Sequence, residues 1–435
     1  MFWPIPEFED NLRCVMVRLM RVRRRSFRTQ RPPSVVAADR YRFIPPHRGD
    51  LWPRFLNVLT PQYLKTRYGV TRVEVRGEET LRSLQQDGHS ILLTPNHSRM
   101  ADPVVLLQAA RRLKQSLFIM ASSHLFRGSR VKLFTMRRVG AFSIYREGVD
   151  RKSVQTAIDI LARGHRPLVI FPEGAVSQAN DRLNALMDGV SLIARSAQRR
   201  LQQNTGCVDR RILVLPVGIK YLFQGDVLAA ASPILSDIEE RLLWDARADR
   251  PLMERIARIG NALLSLQEIQ YLGQPQSGSI ELRQERLIDG VLRPVERAWR
   301  RTRSDTVIER VRELRRAIVP EMTEGNLSPE ELSRRWKQLS DLELAQAISL
   351  FPPDYVASRP TVDRILETVQ GFAENLTGKQ QNHGPMHAVV QIGEPIEVVT
   401  RRCRETDGDV LVEEIASQLR GILDSLAAES RLYAA

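Results

Sequence analysis

The stretch Asn96-His97-Ser98-Arg99-Met100-Ala101-Asp102-Pro103 carries a histidine and an aspartate five residues apart. It follows a short apolar strand, Ile91 to Thr94, and precedes an apolar-faced helix from Pro103 to Leu113. If the loop folds back, the Asp102 carboxylate can keep one ring nitrogen of His97 protonated and leave the other free to accept a proton. This is the base and its orienter from a serine-hydrolase triad, without a protein nucleophile. The hydroxyl to be activated then has to come from a substrate. The bland alternative is a loop histidine beside a helix-capping aspartate, and the pair alone does not choose between the two.

Three further segments bear on that choice. Gly140-Ala141-Phe142-Ser143-Ile144-Tyr145-Arg146 ends a strand with a cation, and Phe171-Pro172-Glu173-Gly174-Ala175-Val176-Ser177 ends another in a Pro-Glu-Gly turn. Leu215-Pro216-Val217 breaks a later buried strand, and a proline in a would-be central strand needs a local reason. In open α/β sheets, ligands bind beyond the carboxyl ends of the strands, where three of these four segments fall.

The elements that must position them alternate. Strands are expected at Val70 to Val75, Ile91 to Thr94, Leu117 to Met120, Phe142 to Tyr145, Leu168 to Phe171 and Ile212 to Ile219. Between Asp150 and Gly164, Val154, Ala157, Ile158 and Leu161 fall at i, i+3, i+4, i+7, which predicts an amphipathic helix with Asp150 as N-cap and Gly164 as its stop. Alternating strands and helices of this length predict an α/β layered sheet. After about Ser236 the strand signal gives way to helix starts such as Ser328-Pro329-Glu330-Glu331. Strand chemistry returns at Ala388 to Val399, followed by a helix with Leu411, Ile415, Leu419, Ile422 and Leu426 on one face. A lone late strand would leave its backbone groups unpaired unless it rejoined the first sheet. The expected organisation is a basic amino-terminal region (1–66), an α/β domain (67–235), a helical insertion (236–384) and the last strand and helix of the same domain (385–435).

The four segments, in this order and spacing, resemble the NHxxxxD, GxxFxxR, FPEG and VPV-like motifs of the glycerophospholipid acyltransferase family. The resemblance covers about residues 68–222, and Gln391 to Ile396 is similar to that family's late IGEPI-like strand. It implies an acyltransferase-type sheet in which His97 is the general base for the acceptor hydroxyl and Asp102 its orienter. Arg146 and the Glu173-Gly174 turn would lie along the acceptor's phosphate, and Pro216 would help form the pocket. The implied reaction moves a fatty acyl group from acyl-CoA or acyl-carrier protein to a glycerophosphate or lysophospholipid, with 1-acylglycerol 3-phosphate foremost. A thiolate is a good leaving group, so no metal, cofactor or covalent enzyme intermediate is required. Two departures stand out: Arg99 occupies the position two after His97, where the family usually has Ser, and Ala175 and Val176 replace the Thr and Arg of FPEGTRS. Arg99 is a candidate to replace the missing cation. Tyr145 stands where an Asp is common.

Composition fits a globular chain, with 43% hydrophobic and 27% charged residues against a soluble norm of about 45–50% and about 25%. Three scattered cysteines, Cys14, Cys207 and Cys403, give no disulfide framework and no metal motif, so a cytosolic setting is expected. Met1 to Met20 lacks the pattern of a secretory signal. The formal net charge is +14, and residues 11–48 hold eleven Arg and one Asp, a local +10. With Phe2 and Trp3 this region suits peripheral docking on an anionic membrane surface. A basic nucleic-acid-binding protein is a competing reading, although no stacking aromatics interleave the charge, and no nucleic-acid partner is expected. A catalytically silent lipid-binding scaffold is the other competitor, disfavoured by the presence of both His97 and Asp102. His383 and His387 form an HxxxH pair read as linker, and Arg293 to Arg316, nine Arg against four acids, reads as the solvated face of one helix.

Overall fold

Two short helices, α1 (Leu51–Leu56) and α2 (Thr60–Tyr68), lead into the sheet in the computed structural model. The structure describes residues 41–127, 129–203, 210–242, 249–301, 306–324, 327–378, 382–400 and 409–434. The chain then runs through β1 (Val70–Arg76), α3 (Glu78–Gln86), β2 (Ser90–Pro95), α4 (Asp102–Arg112), β3 (Phe118–Ser122), α5 (Arg130–Arg138) and β4 (Ala141–Ile144). It continues through α6 (Arg151–Arg163), β5 (Leu168–Val169), α7 (Gly189–Gln203) and β6 (Ile212–Phe223). The expected signals shape α6: Asp150 accepts the Ser153 N–H, and Gly164 closes the helix in the left-handed region at φ +66°.

Helices follow without a strand: α8 (Val227–Arg241), α9 (Leu252–Leu272), α10 (Ile280–Ala298), α11 (Val307–Glu324), α12 (Pro329–Leu350) and α13 (Val362–Thr377). Ser328 and Glu331 form a complete capping box at the start of α12. Then β7 (Met386–Ile392), β8 (Ile396–Glu397) and α14 (Val410–Ala427) end the described chain.

The eight strands make one sheet in the order β1-β7-β6-β2-β5-β3-β4, with β8 also on β6. From β6 to β4 all neighbours are parallel, whereas β7 runs antiparallel to β6 and parallel to β1. The late strand thus obtains its hydrogen bonds between the first strand and the sheet's centre. Alternate residues of β2 face different apolar clusters. Ile91 and Leu93 pack with residues of α2, α4, α8, α9 and α13, and Leu92 packs with residues of α6, α7 and α14. Burial on both faces is why β2 and β6 read as continuous apolar runs. Helices α10, α11 and α12 enclose a cluster of their own that includes Leu287, Leu314 and Leu342.

Three expectations need correction. Ala388 to Val399 is not one strand, because Gly393-Glu394-Pro395 separates β7 from β8 and Pro395 has no N–H for a ladder. Nor does Pro216 break β6, which runs unbroken past it. The Pro216 carbonyl accepts the Gly393 N–H at 2.8 Å, so the proline nitrogen, on the same strand edge, faces the gap between β7 and β8. The Arg293 to Arg316 stretch spans two helices, divided after Trp299 where Arg300 takes φ +50°. It is not a uniformly solvated face, since Arg310 is buried between Glu296 and Asp289, with Nε 2.7 Å from Glu296 and Nη1 2.8 Å from Asp289.

Candidate active site

The parallel strands deliver their carboxyl ends to one edge of the sheet, and the loops there meet. His97 leaves the end of β2, and Asp102 opens α4 with Pro103 behind it in the first turn. The five-residue spacing lets the loop fold back, and His97 Nδ1 lies 2.8 Å from Asp102 Oδ2. The same oxygen accepts the Arg99 N–H at 2.9 Å, while Asp102 Oδ1 accepts the Tyr221 hydroxyl at 2.5 Å. Asp102 is fully buried; the His97 side chain keeps 15% exposure. The imidazole stacks on Phe171 with ring centroids 4.1 Å apart. Its Nε2 makes no hydrogen bond to the described residues, so the ring is tethered through Nδ1 and open at the other nitrogen.

The Phe171-Pro172-Glu173-Gly174 turn follows β5 and is stitched to the His97 loop. Glu173 Oε1 accepts the His97 backbone N–H at 2.6 Å, and Oε2 accepts both the N–H and the side-chain amide of Asn184, at 3.1 and 2.8 Å. Burial pushes the Glu173 carboxyl up, and these donors partly offset that. The Ser177 and Gln178 N–H groups donate to the carbonyls of His97 and Ser98, at 2.8 and 3.1 Å. Gly174 sits at φ +67°, a left-handed backbone that favours glycine; a Cβ there would meet only the end of the flexible Met187 side chain, at 2.8 Å, so the backbone rather than space argues for glycine.

Arg146 follows β4 and donates through Nη2 to the Gly174 carbonyl. Burial and the neighbouring charge of Arg315, on α11, pull the Arg146 guanidinium down to about 10, with Glu147 partly offsetting them. Arg315 itself is buried at 8% exposure, and its Nε has no hydrogen-bond partner. His124, after β3, is lowered to about 4 by burial and then by Arg146, Lys132, Arg315 and Arg127. Arg146 thus stands at the Gly174 turn with Arg315 near enough to repel it, while Glu147 and Glu343 act on Arg315 in the opposite sense.

Of the residues singled out in the sequence, His97, Asp102, Glu173, Gly174 and Arg146 are joined by the contacts above. Pro216 lies apart from them, in β6 opposite Thr94 of β2. Arg99 is already matched: its Nη2 donates to Glu367 Oε1 of α13 at 2.8 Å, and its guanidinium lies over the Tyr221 ring at 5.0 Å. Tyr145 stacks on Tyr41 with centroids 5.0 Å apart. His387 Nε2 faces Glu74 at 3.1 Å across the β1–β7 ladder, and no group of three or more possible metal ligands occurs among the described residues. Tyr221, Glu367 and Arg315 were missed by the sequence reading. Tyr221 looks like one more core aromatic of a buried strand, Arg315 like one of nine arginines, and Glu367 stands 270 positions from His97.

A family model described as Acyltransferase matches residues 72–220. The chain is also similar to the 1-acyl-sn-glycerol-3-phosphate acyltransferase of Streptococcus pneumoniae (strain ATCC BAA-255 / R6), with 34% identity over 120 residues. Those residues are 28% of this chain and 42% of that protein, so the match spans less than half of the relative's length. Residues 72–220, which carry the His97 loop and the strands that position it, are thus similar to an Acyltransferase domain.

Proposed function

We propose that the protein transfers a fatty acyl group from an acyl thioester, acyl-CoA or acyl-carrier protein, to a hydroxyl of a glycerophosphate or lysophospholipid. The acceptor to test first is 1-acylglycerol 3-phosphate. The observation that carries this reading is the buried Asp102 holding His97 Nδ1 while Nε2 stays open. In the proposed step Nε2 takes the acceptor hydroxyl proton as the oxygen bonds to the thioester carbonyl carbon. The tetrahedral adduct then expels the thiolate, the C–S bond breaks, and the imidazolium returns the proton to sulfur. An unassisted alcohol reacts slowly, and a placed general base contributes about 10² to 10⁴-fold. Arg146 at the Gly174 turn, with Arg315 close by, is the feature that supports a phosphate-bearing acceptor.

The same reading has the protein work peripherally at a membrane surface. No described helix is long and apolar enough to cross a membrane. Leu51, Phe55, Val58, Leu59, Val131 and Phe134 are exposed apolar side chains on α1, α5 and the turn into α2, among the exposed cations Arg54, Arg130 and Lys132. Trp52 meets Phe134 edge-on at 5.2 Å, which joins α1 and α5 into one surface. An apolar face rimmed by cations suits an anionic lipid surface.

Thiol release from labelled acyl-CoA, followed with a panel of lyso-acceptors and glycerol 3-phosphate, tests the activity. His97→Ala should lower acyl transfer by at least about 10²-fold with the fold intact. Near-normal turnover in that variant removes the mechanism. No thiol release by the wild type with any donor and acceptor favours a silent lipid-binding scaffold.

A further inference from the structure

Asp102 is shut off from solvent, yet its carboxylate collects three donors that do not come from one element. His97 Nδ1 and the Arg99 N–H share Oδ2, at 2.8 and 2.9 Å, and the Tyr221 hydroxyl takes Oδ1 at 2.5 Å. Tyr221 is itself fully buried, on β6, one residue beyond the segment that the family model matches. Above its ring lies the Arg99 guanidinium at 5.0 Å, held by Glu367 of α13 at 2.8 Å. The second oxygen of Glu367 accepts the Tyr355 hydroxyl at 2.7 Å. A continuous line of contacts thus runs from the His97 loop into the helical block.

We propose that Tyr221 is a positioning residue for the His97–Asp102 pair, held over Asp102 by the Arg99–Glu367 contact from the helical block. The inference rests on the reading of His97 as the general base. Its physical basis is twofold. A carboxylate whose two oxygens have different partners cannot rotate without breaking one of them, so the Tyr221 hydroxyl fixes the oxygen that meets His97. The same hydroxyl draws negative charge towards Oδ1 and away from the imidazole. Without it, Asp102 would favour the protonated imidazole more strongly, and the free base would be available only at higher pH. The other charged or titratable groups around the pair are Glu173, which holds the His97 N–H, Arg99, Glu367, and Tyr68 of α2.

Tyr221→Phe keeps the ring and its packing and removes only the hydroxyl. The expected result is a fall in kcat of about 10-fold with little change in KM, and a move of the acid limb of the kcat/KM profile to higher pH. Nitrogen-15 spectra of the histidine-labelled protein should show the His97 ring resonances displaced. Glu367→Gln, which weakens the clamp and leaves the hydroxyl, should shift the same limb by less and serves as the second variant should Tyr221→Phe fold poorly. A folded Tyr221→Phe with wild-type kcat and pH profile overturns the inference. A loss of kcat with an unmoved pH profile and unmoved His97 resonances overturns it too, since a packing defect would do that. Substantial activity in His97→Ala sinks the general-base reading itself, whereas an inert His97→Ala beside an unaffected Tyr221→Phe sinks only the role of Tyr221.

Discussion

Glu173 accepts the backbone N–H of His97 at 2.6 Å, so the carboxylate of the Phe-Pro-Glu-Gly turn is a tie between two loops. Its second oxygen is taken by Asn184, and the side chain is buried. Motif resemblance suggests that this turn lies along a phosphate, yet both Glu173 oxygens are engaged within the protein. The turn's approach to an anion would then come through its cationic neighbours, with Glu173 setting where the imidazole starts.

Glu173→Gln should therefore harm both stability and turnover. Glutamine has one acceptor oxygen where the site uses two, so either the His97 N–H or the Asn184 pair would face an amide NH₂. Leaving a buried donor unmatched costs about 1–3 kcal/mol. A thermal melt should show a drop of several degrees, and kcat should fall while the KM for thioester changes little. Wild-type values of both would show that the tie does not position His97.

Arg146 and Arg315 reach the same region from different parts of the chain, one after β4 and one on α11. Arg315 stands close enough to add to burial in pulling Arg146 down to about 10. If they face an acceptor phosphate, Arg146→Ala and Arg315→Ala should each raise the KM for a phosphorylated acceptor and leave thioester binding nearly unchanged. A charge-assisted contact contributes about 1.5–3 kcal/mol, or roughly 10- to 100-fold in KM. Equal losses with phosphorylated and unphosphorylated acceptors would mark both residues as structural.

Much of this arrangement could be read from local sequence. The His97–Asp102 contact follows from a strand-to-helix loop whose spacing brings the two side chains together, and the α6 boundaries follow from Asp150 and Gly164. The return of β7 to the sheet follows from the demand that a buried strand pair its backbone. What could not be read depends on contacts across distant segments. Arg99 looked free to meet an anion because its partner, Glu367, is 268 residues away. Pro216 looked like an interruption because the gap it faces belongs to β7 and β8, far along the chain.

His124 should make the fold sensitive to mild acid. Its Nδ1 lies 2.9 Å from the Ser122 hydroxyl, and burial followed by Arg146, Lys132, Arg315 and Arg127 lowers it from the usual 6.5 to about 4. Between those values the unfolded chain binds a proton that the native state refuses. Stability from this group is therefore whole above about pH 6.5 and is lost as pH falls towards about 4. Melting temperatures of wild type and His124→Gln, measured from pH 7 to 4.5, should converge at the acid end because only the wild type loses this contribution. Parallel curves would show that His124 charges as readily in the folded protein as outside it.

The apolar surface of α1 and α5 should decide membrane partition together with the amino-terminal arginines. The first 40 residues lie outside the described structure, so most of the basic stretch at 11–48 enters here by its sequence alone. Phe55 is 64% exposed and Leu51 82%, on a helix that also presents Arg54. Burying apolar side chains in the interface is favourable, and each basic residue near an anionic surface adds about 1 kcal/mol, screened over about 8–10 Å at ordinary salt. Leu51→Glu with Phe55→Glu places two carboxylates against the lipid. Partition onto anionic vesicles should fall strongly in that variant at every salt concentration, whereas deletion of residues 1–48 should chiefly reduce the salt-dependent part. Turnover on a soluble short-chain acceptor should survive in the double variant, since His97, Asp102 and Arg146 lie on other elements, and turnover on vesicle-embedded acceptor should drop. Unchanged vesicle binding in both variants would remove this face and the amino-terminal stretch together as the docking surface.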